Sequence, residues 1–262
     1  MKAAFVQMYC DFGNVEKNVL HALELIQSKP ADLYVLPELF NTGYYFNDRE
    51  EAESLAEPVP DGPTCSALSH LAVQKQCYIV AGLAEKDGNK VYNSSFIAGP
   101  NGFMAVYRKI HLFNLEKNWF DPGDKPFFVV DVLNFKLGLM ICFDWIFPES
   151  MRSLALLGAD VIAHSANLVM PYCQNAMVTR CLENRVFTIT ANRIGSDVRG
   201  ERQIDFTGQS QITGPGGEIL YRAPSEREDV FCIDIDPLLA RKKNINPHNN
   251  LLADRRPDLY TL

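Results

Sequence analysis

Two stretches of this 262-residue chain repeat the same order of features, and that order constrains the fold more than anything else in it. In the first half a helical pattern is followed by Ala31-Asp32 and an apolar run that leads to Glu38. In the second, a helical pattern is followed by Ala159-Asp160 and an apolar run ending near Asn167. A further helix then leads to Tyr78–Leu83 in one half and to Val186–Asn192 in the other. Finally Ser94–Gly102 matches Gln209–Gly217, each with a Gly-Pro-x-Gly turn that predicts a hairpin. Two similar α/β halves predict two sheets packed face to face, with helices outside.

The local patterns agree with such a frame. Ala3–Tyr9, Leu33–Leu36, Tyr78–Leu83 and Val91–Ile97 are short, apolar and rich in β-branched or aromatic residues, so they read as strands. Val15–Ser28 spaces Val15, Val19, Ala22, Leu23 and Ile26 as a helix does, with Asn14 as its N-cap. Cys65–Gln76, Glu149–Leu157 and Ala176–Arg185 repeat that spacing. Arg199–Phe206 reads as a loop, and the polar stretch from about 241 to 262 as a C-terminal arm on one domain spanning 1–262.

Composition narrows the function. With 25 basic and 32 acidic residues the net charge is −7, which argues against a nucleic-acid or anionic-membrane partner. No apolar run has the length of a membrane span, and Met1-Lys2-Ala3-Ala4 opens a strand pattern rather than a signal peptide. Seven scattered cysteines without a Cys-x-x-Cys pair predict reduced thiols in a cytoplasmic protein. Five histidines without paired spacing give no zinc signature, so no metal site is expected.

Three segments carry reactive groups where an apolar run meets a loop, the place where open α/β sheets hold them. They are a carboxylate in Leu36-Pro37-Glu38-Leu39-Phe40, a lysine in Arg108-Lys109-Ile110-His111-Leu112-Phe113, and a thiol in Ile141-Cys142-Phe143-Asp144-Trp145. Thiol, carboxylate and ammonium together suggest nucleophilic catalysis, with a base to activate sulfur and a cation for the oxyanion. Cys142 ends the strand Lys136–Ile141 and begins a loop, where the Phe143 amide can face a developing oxyanion. Glu38 loses solvation at the end of a buried strand, a condition that suits a general base. Taken singly, a Cys is usually an inert buried thiol, and that reading fits Cys10, Cys65, Cys77, Cys173, Cys181 and Cys232. His111 and His164 read as hydrogen-bonded structural histidines.

These segments resemble those of the nitrilase superfamily of carbon–nitrogen hydrolases, in motif order over roughly the whole chain. Its Glu–Lys–Cys triad maps onto Glu38, Lys109 and Cys142, and its recurrent second glutamate onto Glu116, ahead of Phe120-Asp121-Pro122-Gly123. Arg180, Glu183 and Asn184 resemble its Arg-x-x-Glu-Asn helix. The resemblance implies a four-layer αββα sandwich and hydrolysis of a non-peptide C–N bond through a cysteine thioester. It implies no cofactor, and a homodimer or larger even homo-oligomer. A small amide is the first expectation for substrate, with Tyr44, Phe143, Trp145 and Asn167 as pocket residues. An N-carbamoyl compound or a nitrile is the alternative; no arginine follows Cys142 to hold a carbamoyl acid. A non-catalytic binding protein of the same fold would have lost a triad member, and none is lost. A redox enzyme would need a resolving thiol near Cys142, and none lies close in sequence.

Overall fold

A computed structural model describes residues 1–260; positions 261 and 262 of the expected arm lie outside the described residues. The first sheet contains β1 (Lys2–Gln7), β2 (Leu33–Val35), β3 (Tyr78–Asp87), β4 (Lys90–Gly99) and β5 (Gly102–Arg108). The second takes β6 (Val129–Val132), β7 (Phe135–Ile141), β8 (Val161–Ala166) and β9 (Phe187–Asn192). A separate hairpin of β10 (Ser196–Arg199) and β11 (Arg202–Asp205) follows, before β12 (Gln211–Thr213) and β13 (Ile219–Arg222) finish the second sheet. The chain then crosses back, and β14 (Asp229–Asp234) pairs with β1.

The duplication is visible in the strand orders, β14-β1-β2-β3-β4-β5 and β13-β12-β9-β8-β7-β6. Each sheet has three parallel strands, a hairpin on one side and one antiparallel strand on the other. Both Gly-Pro-x-Gly turns join hairpin strands, β4 to β5 and β12 to β13. β2 and β8 occupy matching places, so Glu38 and Asn167 leave equivalent strand ends.

Alternation along the strands sorts the core into layers. From β1, Ala3 and Phe5 pack with Leu137, Leu139 and Val161 of the facing sheet. Ala4 and Val6 point the other way, against Val19, Ala22 and Ile26 of α1 (Val15–Ser28). α2 (Arg49–Leu55) packs beside β3, while α3 (Pro63–Lys75) joins α1 on the outer face. α4 (Glu116–Trp119) is a single turn, and α5 (Pro148–Leu156) and α6 (Cys173–Asn184) cover the second sheet. These are the four αββα layers. Among the described residues no helix is long and apolar enough to cross a membrane.

Some local expectations are corrected. The stretch taken as a loop from Arg199 to Phe206 holds β11, paired with β10 around Gly200 at φ +67°. Polar residues on both of its faces hid the strand period. Asn14 precedes α1 as expected, but its side chain makes no cap bond. Cys142 begins a 3₁₀ turn, Cys142–Ile146, rather than a loop. Met151, Leu154 and Ala155 of α5 are buried against the second sheet.

Candidate active site

Past the end of β2 the chain stays beside β3, with Leu36 N–H donating to Val80 O and Gly82 N–H to Pro37 O. This close approach requires the glycine, because a Cβ at Gly82 would lie 2.6 Å from Glu38 Cα. The result is a glutamate held rigidly in the space between the sheets, fully buried.

Three charged groups meet there. Lys109 follows β5 and donates from Nζ to Glu38 Oε1 at 2.6 Å and to Glu116 Oε1 at 2.7 Å. All three side chains are fully buried. Asn93 on β4 donates Nδ2–H to the same Glu38 oxygen at 2.7 Å, and Tyr44 donates its hydroxyl to Glu116 Oε1 at 2.7 Å. Glu38 Oε2 and Glu116 Oε2 have no hydrogen-bond partner within the protein. Buried carboxylate oxygens are rarely left so, because each lost bond is costly. Glu38 thus keeps one oxygen pinned and the other free.

Burial sets the protonation of this cluster. It pushes the Glu116 carboxyl up to about 7, against the opposing pull of Lys109. For Lys109, burial works against the charge, yet the Glu116 and Glu38 carboxylates outweigh it and hold the ammonium well above its usual range. The Cys142 thiol is pushed well above its ordinary value, first by burial and then by Glu38. Lys109 and a hydrogen bond from the Asn167 N–H act in the opposite direction without prevailing. The ammonium therefore does not make a resting thiolate, and sulfur needs a base.

Cys142 comes from the other sheet, at the end of β7, with φ at +37°. The turn is braced by Asp144, whose carboxylate accepts from Ile141 N–H at 2.9 Å, the Tyr107 hydroxyl at 2.8 Å and His111 Nδ1 at 2.7 Å. Arg180 donates to the Trp145 and Ile146 carbonyls and pairs with Glu183 at 3.0 Å. The Arg-x-x-Glu pair thus supports the turn from α6. Cys142 and Asn167 open onto a small cleft walled by Phe113, Phe143, Trp145, Leu168, Val169 and Met170. Its lining is mostly apolar, and no charged side chain is part of it.

The residues singled out in the sequence therefore fall into two sets. Glu38, Lys109, Glu116 and Tyr44 form one hydrogen-bonded group; Cys142, Phe143, Trp145 and Asn167 form the cleft. Tyr44 lies against Glu116 instead of lining the cleft. Sequence reasoning missed Asn93, Asp144 and Phe113 as site residues. Asn93-Ser94-Ser95, a polar run inside an apolar strand, was the available signal for the first. Among the described residues no group of three or more His, Cys, Asp or Glu side chains is placed to hold a metal ion.

Residues 2–243 match the sequence profile of the carbon–nitrogen hydrolase family. The chain is 49% identical to a nitrilase of Pyrococcus abyssi over 263 residues, covering 99% of each protein. It is 33% identical to an (R)-stereoselective amidase of a Pseudomonas species, over 98% of this chain and 92% of that one. An amidase crystal structure from a Nesterenkonia species superposes with a TM-score of 0.81, at 23% identity over 99% of this chain and 94% of that chain.

Proposed function

Because the chain belongs to the carbon–nitrogen hydrolase family, we propose that it hydrolyses a small carboxamide to a carboxylate and ammonia through a thioester on Cys142. Glu38 takes the thiol proton as sulfur attacks the carbonyl carbon. The oxyanion of the tetrahedral intermediate is held by the Lys109 ammonium and the Phe143 N–H. Collapse breaks the C–N bond, and Glu38 returns the proton to the departing ammonia. Water then attacks the thioester with Glu38 again as base, the C–S bond breaks, and the thiol is restored. Glu116, with Tyr44, keeps Lys109 in place. The observation that carries this reading is Glu38 Oε2: one carboxylate oxygen is occupied by Lys109 and Asn93, and the other is left free within the site.

The apolar cleft suits a short uncharged acyl chain, with the Asn167 side chain, both of whose amide atoms lack a partner, as its polar contact. A nitrile is the second reading, favoured by the 49% identity to a nitrilase; the same residues would carry it through a thioimidate. An N-carbamoyl acid fits less well, since no arginine lines the cleft. We expect a screen of small aliphatic amides, nitriles and N-carbamoyl compounds to show ammonia release, fastest with short neutral amides. Folded protein that releases ammonia from none of them would favour a binding role on this fold.

The same reading takes the chain as one domain and a cytoplasmic homodimer. All seven cysteines are free thiols, which suits a reducing compartment. Leu156, Leu157, Tyr172 and Leu182, on or beside α5 and α6, are all more than 45% exposed. Such a patch is costly on a monomer and suits an isologous two-fold contact. Light scattering at micromolar protein should give at least twice the 29.5 kDa chain mass, and an active monomer would remove the proposal.

A further inference from the structure

The φ of +37° at Cys142 is a conformation that residues with a Cβ adopt only under constraint from their surroundings. One constraint acts on its carbonyl. His164 Nε2, on β8, lies 3.0 Å from Cys142 O, and Nδ1 of the same ring lies 3.2 Å from Thr190 Oγ1 on β9. A carbonyl only accepts, so Nε2 bears the proton and Nδ1 accepts from the Thr190 hydroxyl. The ring is fully buried, and burial holds its pKa below the usual histidine value, so it stays neutral. A histidine in the strand Val161–Ala166, otherwise built of small and apolar residues with one serine, is costly unless both nitrogens are used, and both are.

The peptide unit that carries this carbonyl also carries the Phe143 N–H. The unit is planar and trans, so its C=O and N–H point in opposite directions. Fixing one fixes the other. We propose that His164 is a positioning residue for the reaction: by holding the Cys142 carbonyl it aims the Phe143 N–H at the oxyanion. A donor on the carbonyl also polarises the peptide and strengthens that N–H. Asp144 accepts from Ile141 N–H, which belongs to the peptide unit between Met140 and Ile141, so the chain is also anchored just before the nucleophile. The inference rests on the reading of Cys142 as nucleophile and the Phe143 N–H as oxyanion donor.

The test separates oxyanion binding from sulfur reactivity. His164→Phe keeps the ring shape without the donor, and His164→Gln keeps a donor near the Nε2 position. In His164→Phe, kcat should fall about 10–10²-fold, the scale of a misaimed or weakened donor, with KM little changed. His164→Gln should recover most of the loss. Alkylation of Cys142 by iodoacetamide forms no oxyanion and should keep its wild-type rate. Thiohemiacetal formation with an aldehyde analogue of the best amide should weaken by the same factor as kcat. Wild-type kcat in His164→Phe, or alkylation slowed in step with turnover, would overturn the proposal. Should that variant not fold, ¹⁵N-histidine spectra of the wild-type protein decide: Nε2 protonated and Nδ1 bare supports it, and the reverse tautomer or an imidazolium overturns it. Wild-type protein that neither releases ammonia nor alkylates at Cys142 would instead remove the underlying reading.

Discussion

Cys142→Ala is expected to release no measurable ammonia while keeping the wild-type melting temperature. The thiol supplies the attacking atom, and loss of the nucleophile in a covalent hydrolase costs about 10⁶ in kcat. The fold should tolerate the change, because the turn is held by Asp144, His164 and Arg180 rather than by the sulfur. Cys142→Ser should be nearly as inactive: burial already disfavours an anion at this position, and a hydroxyl ionises far less readily than a thiol. Cys10→Ala, Cys77→Ala and Cys232→Ala should stay within a few-fold of wild type. Ammonia release by purified Cys142→Ala at an appreciable fraction of the wild-type rate would dispose of the thioester mechanism.

Lys109→Ala is expected to fail twice, in turnover and in stability. One oxyanion donor is typically worth about 10²–10³ in kcat. The same ammonium is also the partner of two fully buried carboxylates. Removing one member of a buried ion pair typically costs about 3–5 kcal/mol, because it leaves charge without compensation. The pH dependence has a definite sign. In the folded protein the Glu116 carboxyl is pushed up to about 7, above its ordinary value of 4.5. Its favourable contribution is therefore complete below 4.5 and is lost as pH rises through 7. Without Lys109 the Glu116 carboxyl loses the charge that lowers its pKa and becomes harder to ionise, so the loss should extend to higher pH. Thermal melts of wild type and variant from pH 5 to 9 should diverge with increasing pH. Parallel melting curves together with wild-type turnover would return Lys109 to the status of an ordinary lysine.

What could be read in the sequence depended on how local its cause was. Glu38, Lys109 and Cys142 each stand at the end of an apolar run, so a strand end and a reactive group appear in the same few residues. The repeat of Ala-Asp and Gly-Pro-x-Gly placed β2 opposite β8 in the plan of the fold. The brace around Cys142 was not legible, because Tyr107, His111 and Asp144 meet only when β5 and β7 face each other across the core. Asn93 reaches Glu38 from a strand whose register is set by its hairpin, 55 residues away in sequence. The β10–β11 hairpin stands outside both sheets, so neither of its faces needed the apolar alternation that announces a strand.

The crossing of β14 into the first sheet has a consequence for how the chain is made. Residues 229–234 are the antiparallel neighbour of residues 2–7, so β1 leaves the ribosome well before its partner strand. At about 5–20 residues per second, roughly 10–45 s of synthesis separate them. Through that interval β1, with its apolar Ala3, Ala4, Phe5 and Val6, is an open edge able to pair with another nascent chain. The helices α1 and α3 can cover its outer face early, but they cannot supply the missing row of backbone partners. Truncation just before β14 would therefore do more than shorten the chain: it would leave the nascent-state edge as a permanent feature of the product.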